Sequence, residues 1–198
     1  LRVPYLVWLC FAFILNLTRG IYKNHQKVAG GDWGLGIPLD DMKSLNDLNI
    51  GIIGYGRIGQ AVVDRLIPFK PNILISDPFC STPIQKKNLS FVEIIDLFNN
   101  SDIISLHCPS TEKTRNIISH HSLSLMKKGV SIINLGRGDL IDMDSLVNSL
   151  INKTINYVAL DVFDIEPLVE NHPIRNFDNV IFSSHVASAS KNAVKKLR

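Results

Sequence analysis

The chain has 198 residues, 45% of them apolar and 20% charged, which excludes disordered, collagen-like and disulfide-scaffold chains. At about 150 residues per domain, one domain with some to spare fits and two full-sized catalytic domains do not; roughly 70% of the unfolded surface can be buried. Lys plus Arg number 21 against 18 Asp plus Glu, and the surplus of +3 is too small to steer the chain onto nucleic acid.

The chain opens on Leu1 rather than Met, and a trimmed or partial product is expected. From Val3 to Leu17 it is almost wholly apolar, with Arg2 the single basic residue before the run. These 15 residues fall short of the roughly 20 that span a bilayer. No small-x-small cleavage site precedes the polar stretch Thr18 to Lys27, so the run predicts a buried helix and neither signal peptide nor membrane anchor. A helix apolar all round must be covered by other protein, and a domain or subunit outside these residues is the expected cover. Cys10, Cys80 and Cys108 are odd in number, share no metal-type spacing and sit in or beside apolar runs. They are expected as reduced thiols of a cytoplasmic protein, with no metal site.

Beyond a Gly-rich connector, Ala29 to Gly36, a first strand at Asn49 to Ile53 runs into Gly54-Tyr55-Gly56-Arg57-Ile58-Gly59 and a helix over Ile58 to Phe69. Such a loop needs Gly54 for the tight turn, Gly56 for backbone approach to a pyrophosphate and Gly59 for close helix–strand packing. The helix N-terminus then offers free N–H groups to the phosphates. The motif alone is weak; between a strand and a helix it carries meaning. A second strand, Ile73 to Ile75, ends at Ser76-Asp77-Pro78, with Asp77 18 residues beyond Gly59. A carboxylate there accepts from both ribose hydroxyls of an adenosine and repels the extra phosphate of NADP, which favours NAD; the alternative, a turn residue before Pro, loses weight once Asp77 is paired with the glycine loop at this spacing.

A helix is expected over Phe91 to Phe98, then a strand at Ile103 to Leu106 followed by His107-Cys108-Pro109, Thr111 and Thr114. These lie at the rim of the expected crevice, where Cys108 packs under an adenine and Thr114 donates to a phosphate. After a helical stretch at Ser119 to Lys127, the strand Val130 to Leu135 leads to Gly136-Arg137-Gly138. The flanking glycines leave Arg137 uncovered and let a small ligand approach, and its planar fork suits a carboxylate. A helix at Met143 to Leu150 precedes the strand Val158 to Leu160, which ends at Asp161 with Glu166-Pro167 beyond; the strand Val180 to Phe182 leads to Ser183-Ser184-His185.

Apolar strands alternating with helices predict a parallel sheet covered on both faces, the doubly wound α/β architecture. Arg137, Glu166 and His185 each follow a different strand end and can converge at one end of a bound dinucleotide. The chemistry this supports is hydride transfer at a carbon bearing a hydroxyl, with His185 exchanging the proton and the carboxylate favouring the protonated imidazole.

With these pieces in order, the chain resembles the NAD-binding domain of the D-isomer-specific 2-hydroxyacid dehydrogenases. The matching pieces are Gly31-Asp32-Trp33, Gly54 to Gly59, Asp77-Pro78, His107-Cys108-Pro109 with Thr114, Asn134 to Gly138, Leu160 to Phe163 through Glu166-Pro167, and His185-Val186-Ala187. The resemblance implies a Rossmann NAD-binding domain whose substrate domain is largely absent. It implies Arg137, Glu166 and His185 as catalytic residues. It implies NAD contacts from Gly54, Gly56, Arg57, Ile58, Gly59, Asp77, His107, Cys108, Pro109, Thr114, Leu135, Gly136, Arg137, Asp161, His185 and Ala187, with Asp161 fixing the nicotinamide carboxamide. Residues 1–35 are then an interdomain and dimerisation helix with its connector, 36–184 the dinucleotide-binding domain, and 185–198 the His loop and the start of a return helix. The implied partners are a small 2-hydroxy or 2-oxo acid and a second copy of the chain through the N-terminal helix, with no nucleic acid and no membrane.

Three departures stand out. Ser183-Ser184 replace the family's usual Thr-Pro, which is expected to loosen the His loop. The N-terminal helix lacks the usual acidic residue near Tyr5, and the family's opening and closing segments are missing. The connector Ala29 to Trp33 with Pro38 and Leu39 also resembles the NAD(H)-sensing corepressors of this superfamily, the alternative function.

Overall fold

The computed structural model describes residues 3–80 and 88–190. Among these residues seven strands form one sheet, every pair parallel: β1 (Asn49–Ile53), β2 (Asn72–Ser76), β3 (Leu89–Phe91), β4 (Ile103–Leu106), β5 (Val130–Asn134), β6 (Ile155–Leu160) and β7 (Val180–Phe182). Their order is β3-β2-β1-β4-β5-β6-β7. The chain therefore steps outward from β1 in one direction and, after β3, returns to step outward in the other. A crevice opens at such a reversal, beyond the carboxyl ends of β1 and β4.

The helices are α1 (Val3–Arg19), α2 (Ile21–Ala29), α3 (Arg57–Leu66), α4 (Ile94–Asn100), α5 (His120–Leu125) and α6 (Met143–Ile151). Period-two alternation along each strand divides the apolar residues between the faces. Ile53, Ile104, Leu106 and Ile132 pack with Leu97 and Phe98 of α4 and Leu146 and Leu150 of α6. Ile50, Ile52, Ile103 and Ile133 pack with Val62, Val63 and Leu66 of α3 and with α1.

The apolar N-terminal run is a helix, as its composition predicts, but most of its cover comes from this chain. Val7, Cys10, Ile14 and Leu17, spaced by three or four residues, are buried against the sheet. Each such apolar side chain contributes about 1.5–3 kcal/mol. The opposite face stays open, with Trp8 57% exposed. Among the described residues no single helix is long and apolar enough to cross a membrane.

Other elements differ from expectation. The polar stretch after Thr18 contains α2, a helix with no buried residue. Phe91 belongs to β3, a three-residue edge strand, and the helix expected from Phe91 starts at Ile94. The helix expected over Ile58 to Phe69 is α3 followed by a 3-10 turn, Ile67–Phe69, where Pro68 removes the N–H the α-helix would need. The expected return helix falls largely on 191–198, outside the described residues.

Candidate active site

The Gly54 loop closes the carboxyl end of β1. Gly54 has φ 94°, and a Cβ there would lie 2.5 Å from the Cys108 amide nitrogen. Only glycine meets both conditions, so the loop can rest directly on the end of β4. A Cβ on Gly59 would lie 2.2 Å from the Gly54 carbonyl oxygen, the close helix–strand packing expected of the last glycine. A Cβ on Gly56 would meet nothing within 4 Å, so the backbone there is open to a ligand. No side chain caps α3, and its first turn holds no acidic residue. Its leading N–H groups and positive dipole end therefore face the crevice, with Arg57 and Ile58 at the first two positions.

Asp77 stands at the end of β2 with its Oδ2 accepting from the Tyr55 N–H at 2.6 Å and Oδ1 from the Phe79 N–H at 2.8 Å. It thus ties the glycine loop to β2 and keeps acceptor capacity for a hydroxyl pair. Gly54, Gly56, Gly59 and Asp77 together fit a dinucleotide: an open cradle, an uncapped helix end and one carboxylate beside them.

The β4 end is less simple. The His107 N–H donates to the Ile53 carbonyl at 2.7 Å, while its ring Nε2 lies 2.9 Å from Ser105 Oγ and 3.8 Å from Cys10 Sγ. Burial pushes the imidazole down to about 4, so it is neutral and turned toward α1. Cys108 is half-buried against the α4–α6 side of the core, and desolvation pushes its thiol up to about 11; it stays protonated, as a packing residue should. All three cysteines are free thiols. Pro109 is exposed. Thr114 differs from expectation: its hydroxyl donates to the Pro109 carbonyl at 2.6 Å and accepts from the Thr111 N–H at 2.8 Å. Its proton therefore serves its own turn.

At the other end of the row stand Arg137, Glu166 and His185, after β5, β6 and β7. His185 Nδ1 meets Glu166 Oε2 at 2.7 Å. That hydrogen bond, then the Phe163 N–H donating to Oε1 at 3.0 Å, hold the Glu166 carboxyl below the usual carboxylate range despite its exposure; the Arg137 charge adds to the same effect. The Arg137 guanidinium is exposed and, among the described residues, bonds the neighbouring Gly136 carbonyl alone, at 2.7 Å. Leu135 beneath it is buried.

The flanking glycines of Arg137 do different jobs. A Cβ on Gly136 would have as its nearest neighbours the side-chain ends of Leu140 at 3.3 Å and Asn134 at 3.5 Å and the Leu106 carbonyl oxygen at 3.6 Å. A Cβ on Gly138 would lie 1.8 Å from the Phe163 carbonyl carbon. Gly138 is therefore glycine because the β5 and β6 loops touch backbone to backbone, and the reading that it clears space for a ligand is corrected.

Sequence reasoning named Asn134 and Asp161 but missed that they hold these loops. Asn134, fully buried at the end of β5, accepts from the Gly136 N–H at 3.0 Å and donates to the Arg137 carbonyl at 2.8 Å. Asp161, also fully buried, accepts from Ser183 Oγ, Val186 N–H and Ala187 N–H. The loop is thus tied to Asp161 through Ser183 and the amides of Val186 and Ala187. A buried Asn or Asp ending an apolar strand was the available signal. A concavity of about 300 Å3 elsewhere, lined by Arg115, Asp139, Asp142 and His172 among others, shares no residue with this row.

A parallel doubly wound sheet with a glycine-loop cradle at its reversal and a basic, an acidic and an imidazole side chain at successive strand ends defines a dinucleotide-binding α/β protein. Residues 11–187 match the model of the D-isomer specific 2-hydroxyacid dehydrogenase, NAD binding domain. The chain belongs to that family. It is 36% identical over 190 residues to a glyoxylate reductase of Thermofilum pendens, covering 93% of this chain and 56% of that protein. It is 35% identical over 196 residues to a hydroxypyruvate reductase of Thermotoga maritima, covering 98% of this chain and 63% of that one. The solved NAD-dependent formate dehydrogenase of Staphylococcus aureus, in complex with NAD, superposes with a TM-score of 0.92 at 30% identity, over 99% of this chain and 59% of that one. The chain thus spans a little over half the length of these relatives.

Proposed function

We propose that these residues are the cofactor domain of an NAD-dependent oxidoreductase that moves a hydride between NAD(H) and a small 2-hydroxy or 2-oxo acid. The observation that carries the reading is the His185–Glu166 pair at 2.7 Å, one strand end away from the exposed Arg137. Bound NADH would supply the hydride to the carbonyl carbon. The chain's own groups do the rest. Arg137 binds the acid's carboxylate through its fork. His185, with Nδ1 held by Glu166, presents Nε2 and gives its proton to the carbonyl oxygen as the alcohol forms. In the reverse direction it takes that proton back. Glu166 is already ionised and stabilises the imidazolium.

In the same reading Gly54, Gly56, Arg57, Ile58 and Gly59 receive the pyrophosphate and Asp77 the ribose. Cys108 and Pro109 wall the adenine side, where His107, its ring turned toward α1, enters on the resemblance alone, and Leu135, Gly136, Arg137, Asp161, His185 and Ala187 line the nicotinamide end. Thr114 enters on the resemblance alone. Asp77 favours NAD because a second phosphate on the ribose would meet its charge. Residues 1–35 serve as interdomain helix and dimer contact. Exposed Ile21 on α2 and Trp33 and Leu35 on the connector support pairing with a second copy, although α1 shares its core with β1 and α3. Free thiols support a cytoplasmic place. No observation favours the corepressor alternative.

The test is steady-state turnover of NADH with a panel of 2-oxo acids, run beside an NADH fluorescence titration of these 198 residues. Binding enhances the fluorescence and one class of short 2-oxo acid is reduced. Absence of enhancement would overturn every dinucleotide reading; binding by the complete protein without turnover of any acid would overturn the dehydrogenase.

A further inference from the structure

His185 has φ 54°, in the left-handed region that a side chain with a Cβ avoids. Something must hold it there, and the holder is one residue at the end of β6. The Asp161 carbonyl accepts from the His185 N–H at 2.8 Å. Its carboxylate, fully buried, accepts from the Val186 N–H on Oδ1 at 2.9 Å and the Ala187 N–H on Oδ2 at 2.9 Å. The Ser183 hydroxyl donates to Oδ1 at 2.5 Å. A buried carboxylate is tolerable only when such donors surround it. Three donors fill three of its roughly four acceptor positions.

We propose that Ser183 and Asp161 act together as the positioning device of His185, the Ser183 hydroxyl and two amides gripping one carboxylate so that the imidazole points Nδ1 at Glu166. This rests on the catalytic reading of His185 given above. Two of the three donors are backbone and survive any side-chain change. Ser183 is therefore the one component that a substitution removes without touching charge or backbone. Ser184, exposed beside it, has no such contact. The hydroxyl is what serine shares with the threonine usual in the family, so either residue can make the bond to Asp161.

The experiment compares the parent chain with Ser183→Ala and Ser183→Thr, without ligand. Amide exchange by NMR reads the grip: in Ser183→Ala the Val186 and Ala187 amides exchange about tenfold faster, while β5 amides keep the parent rate. Titration of the Glu166 carboxyl by carbon NMR reads the consequence. The groups bearing on it are His185, the Phe163 amide and Arg137, so less frequent contact with His185 moves its midpoint up toward the ordinary carboxylate value. Ser183→Thr restores both. A uniform rise in exchange across the sheet, or an unmoved Glu166 midpoint, or a Thr variant that behaves like Ala, overturns the proposal. NADH titration of the same proteins separates the two ideas. A parent chain that fails to bind NADH refutes the cofactor reading and leaves the result for the grip intact.

Discussion

The two glycines beside Arg137 look equivalent in sequence, and the structure makes opposite predictions for them. In Gly138→Ala the new Cβ stands 1.8 Å from the Phe163 carbonyl carbon and 2.0 Å from its oxygen. Ordinary contact begins near 3.4 Å, so the β5 and β6 loops must part by about 1.6 Å, and both partners are backbone, which cannot rotate away. Overpacking of this kind costs about 3 kcal/mol, or roughly 6–12 °C of melting temperature for a chain of this size. The displacement also carries Arg137 away from Glu166 and His185, and a shift near 1 Å costs about 10²-fold in turnover. In Gly136→Ala the nearest atom is the Leu140 Cδ1 at 3.3 Å, the far end of a flexible side chain. Its effect is expected to stay within about 1 kcal/mol. Thermal unfolding by circular dichroism of the two variants decides the matter. A Gly138→Ala protein that melts with the parent, or two variants that lose equal stability, would refute the claim that loop contact fixes Gly138.

Three further outcomes follow from the site. His185→Ala is expected to lower turnover of the complete protein by about 10²–10⁴-fold while NADH affinity stays near the parent's; equal loss of both would contradict the proton-transfer role. Asp77→Ala removes the charge that repels a ribose phosphate and the acceptor of the Tyr55 N–H, so NADH binding weakens by roughly 10–100-fold and the NADH to NADPH ratio narrows. An unchanged ratio shows that Asp77 does not meet the ribose. Finally, His107 is held neutral by burial, its imidazole down to about 4 against 6.5 unperturbed. The unfolded chain therefore binds a proton that the folded chain refuses. The stability this confers is complete above pH 6.5 and is lost as pH falls toward 4, about 2 kcal/mol of it by pH 5. Denaturant unfolding at pH 7.5 and 5 should show a steeper decline for the parent than for His107→Asn; parallel declines would place the imidazole in water.

What could be read in the sequence follows the range of the interactions involved. The glycine loop was legible because strand, loop and helix are contiguous and each glycine has a local reason. The longer strands around it were legible because Ile and Val runs mark buried parallel strands. The strand at Leu89–Phe91 was not, since three residues with one exposed carry no period. Nor was α2, whose nine residues bury nothing and so leave no apolar stripe to detect. Gly138 and Gly136 could not be told apart because the atom that separates them belongs to Phe163, 25 positions onward. The partners of Asp161 lie between 22 and 26 positions away, and no local pattern announces them.

The site divides along the same line between exposed chemistry and buried support. Arg137, Glu166 and His185 all reach the surface. The groups that aim them do not: Asn134 holds the Arg137 loop, the Phe163 amide holds Glu166, and Asp161 holds the His185 turn. Asn134 and Asp161 are fully buried, fixed by a sheet whose strands are close-packed on both faces. Side chains on rigid strand ends keep their geometry without help from a ligand. Removing a supporting group therefore leaves buried donors or acceptors unpaired and costs stability together with geometry, while removing an exposed one costs chemistry alone. Asn134→Ala should accordingly lower both the melting temperature and the turnover, where His185→Ala lowers turnover at an unchanged melting temperature. Measured in parallel, that contrast separates the residues that react from those that place them, and a stable Asn134→Ala protein would mean that the β5 loop is held by something other than its buried amide.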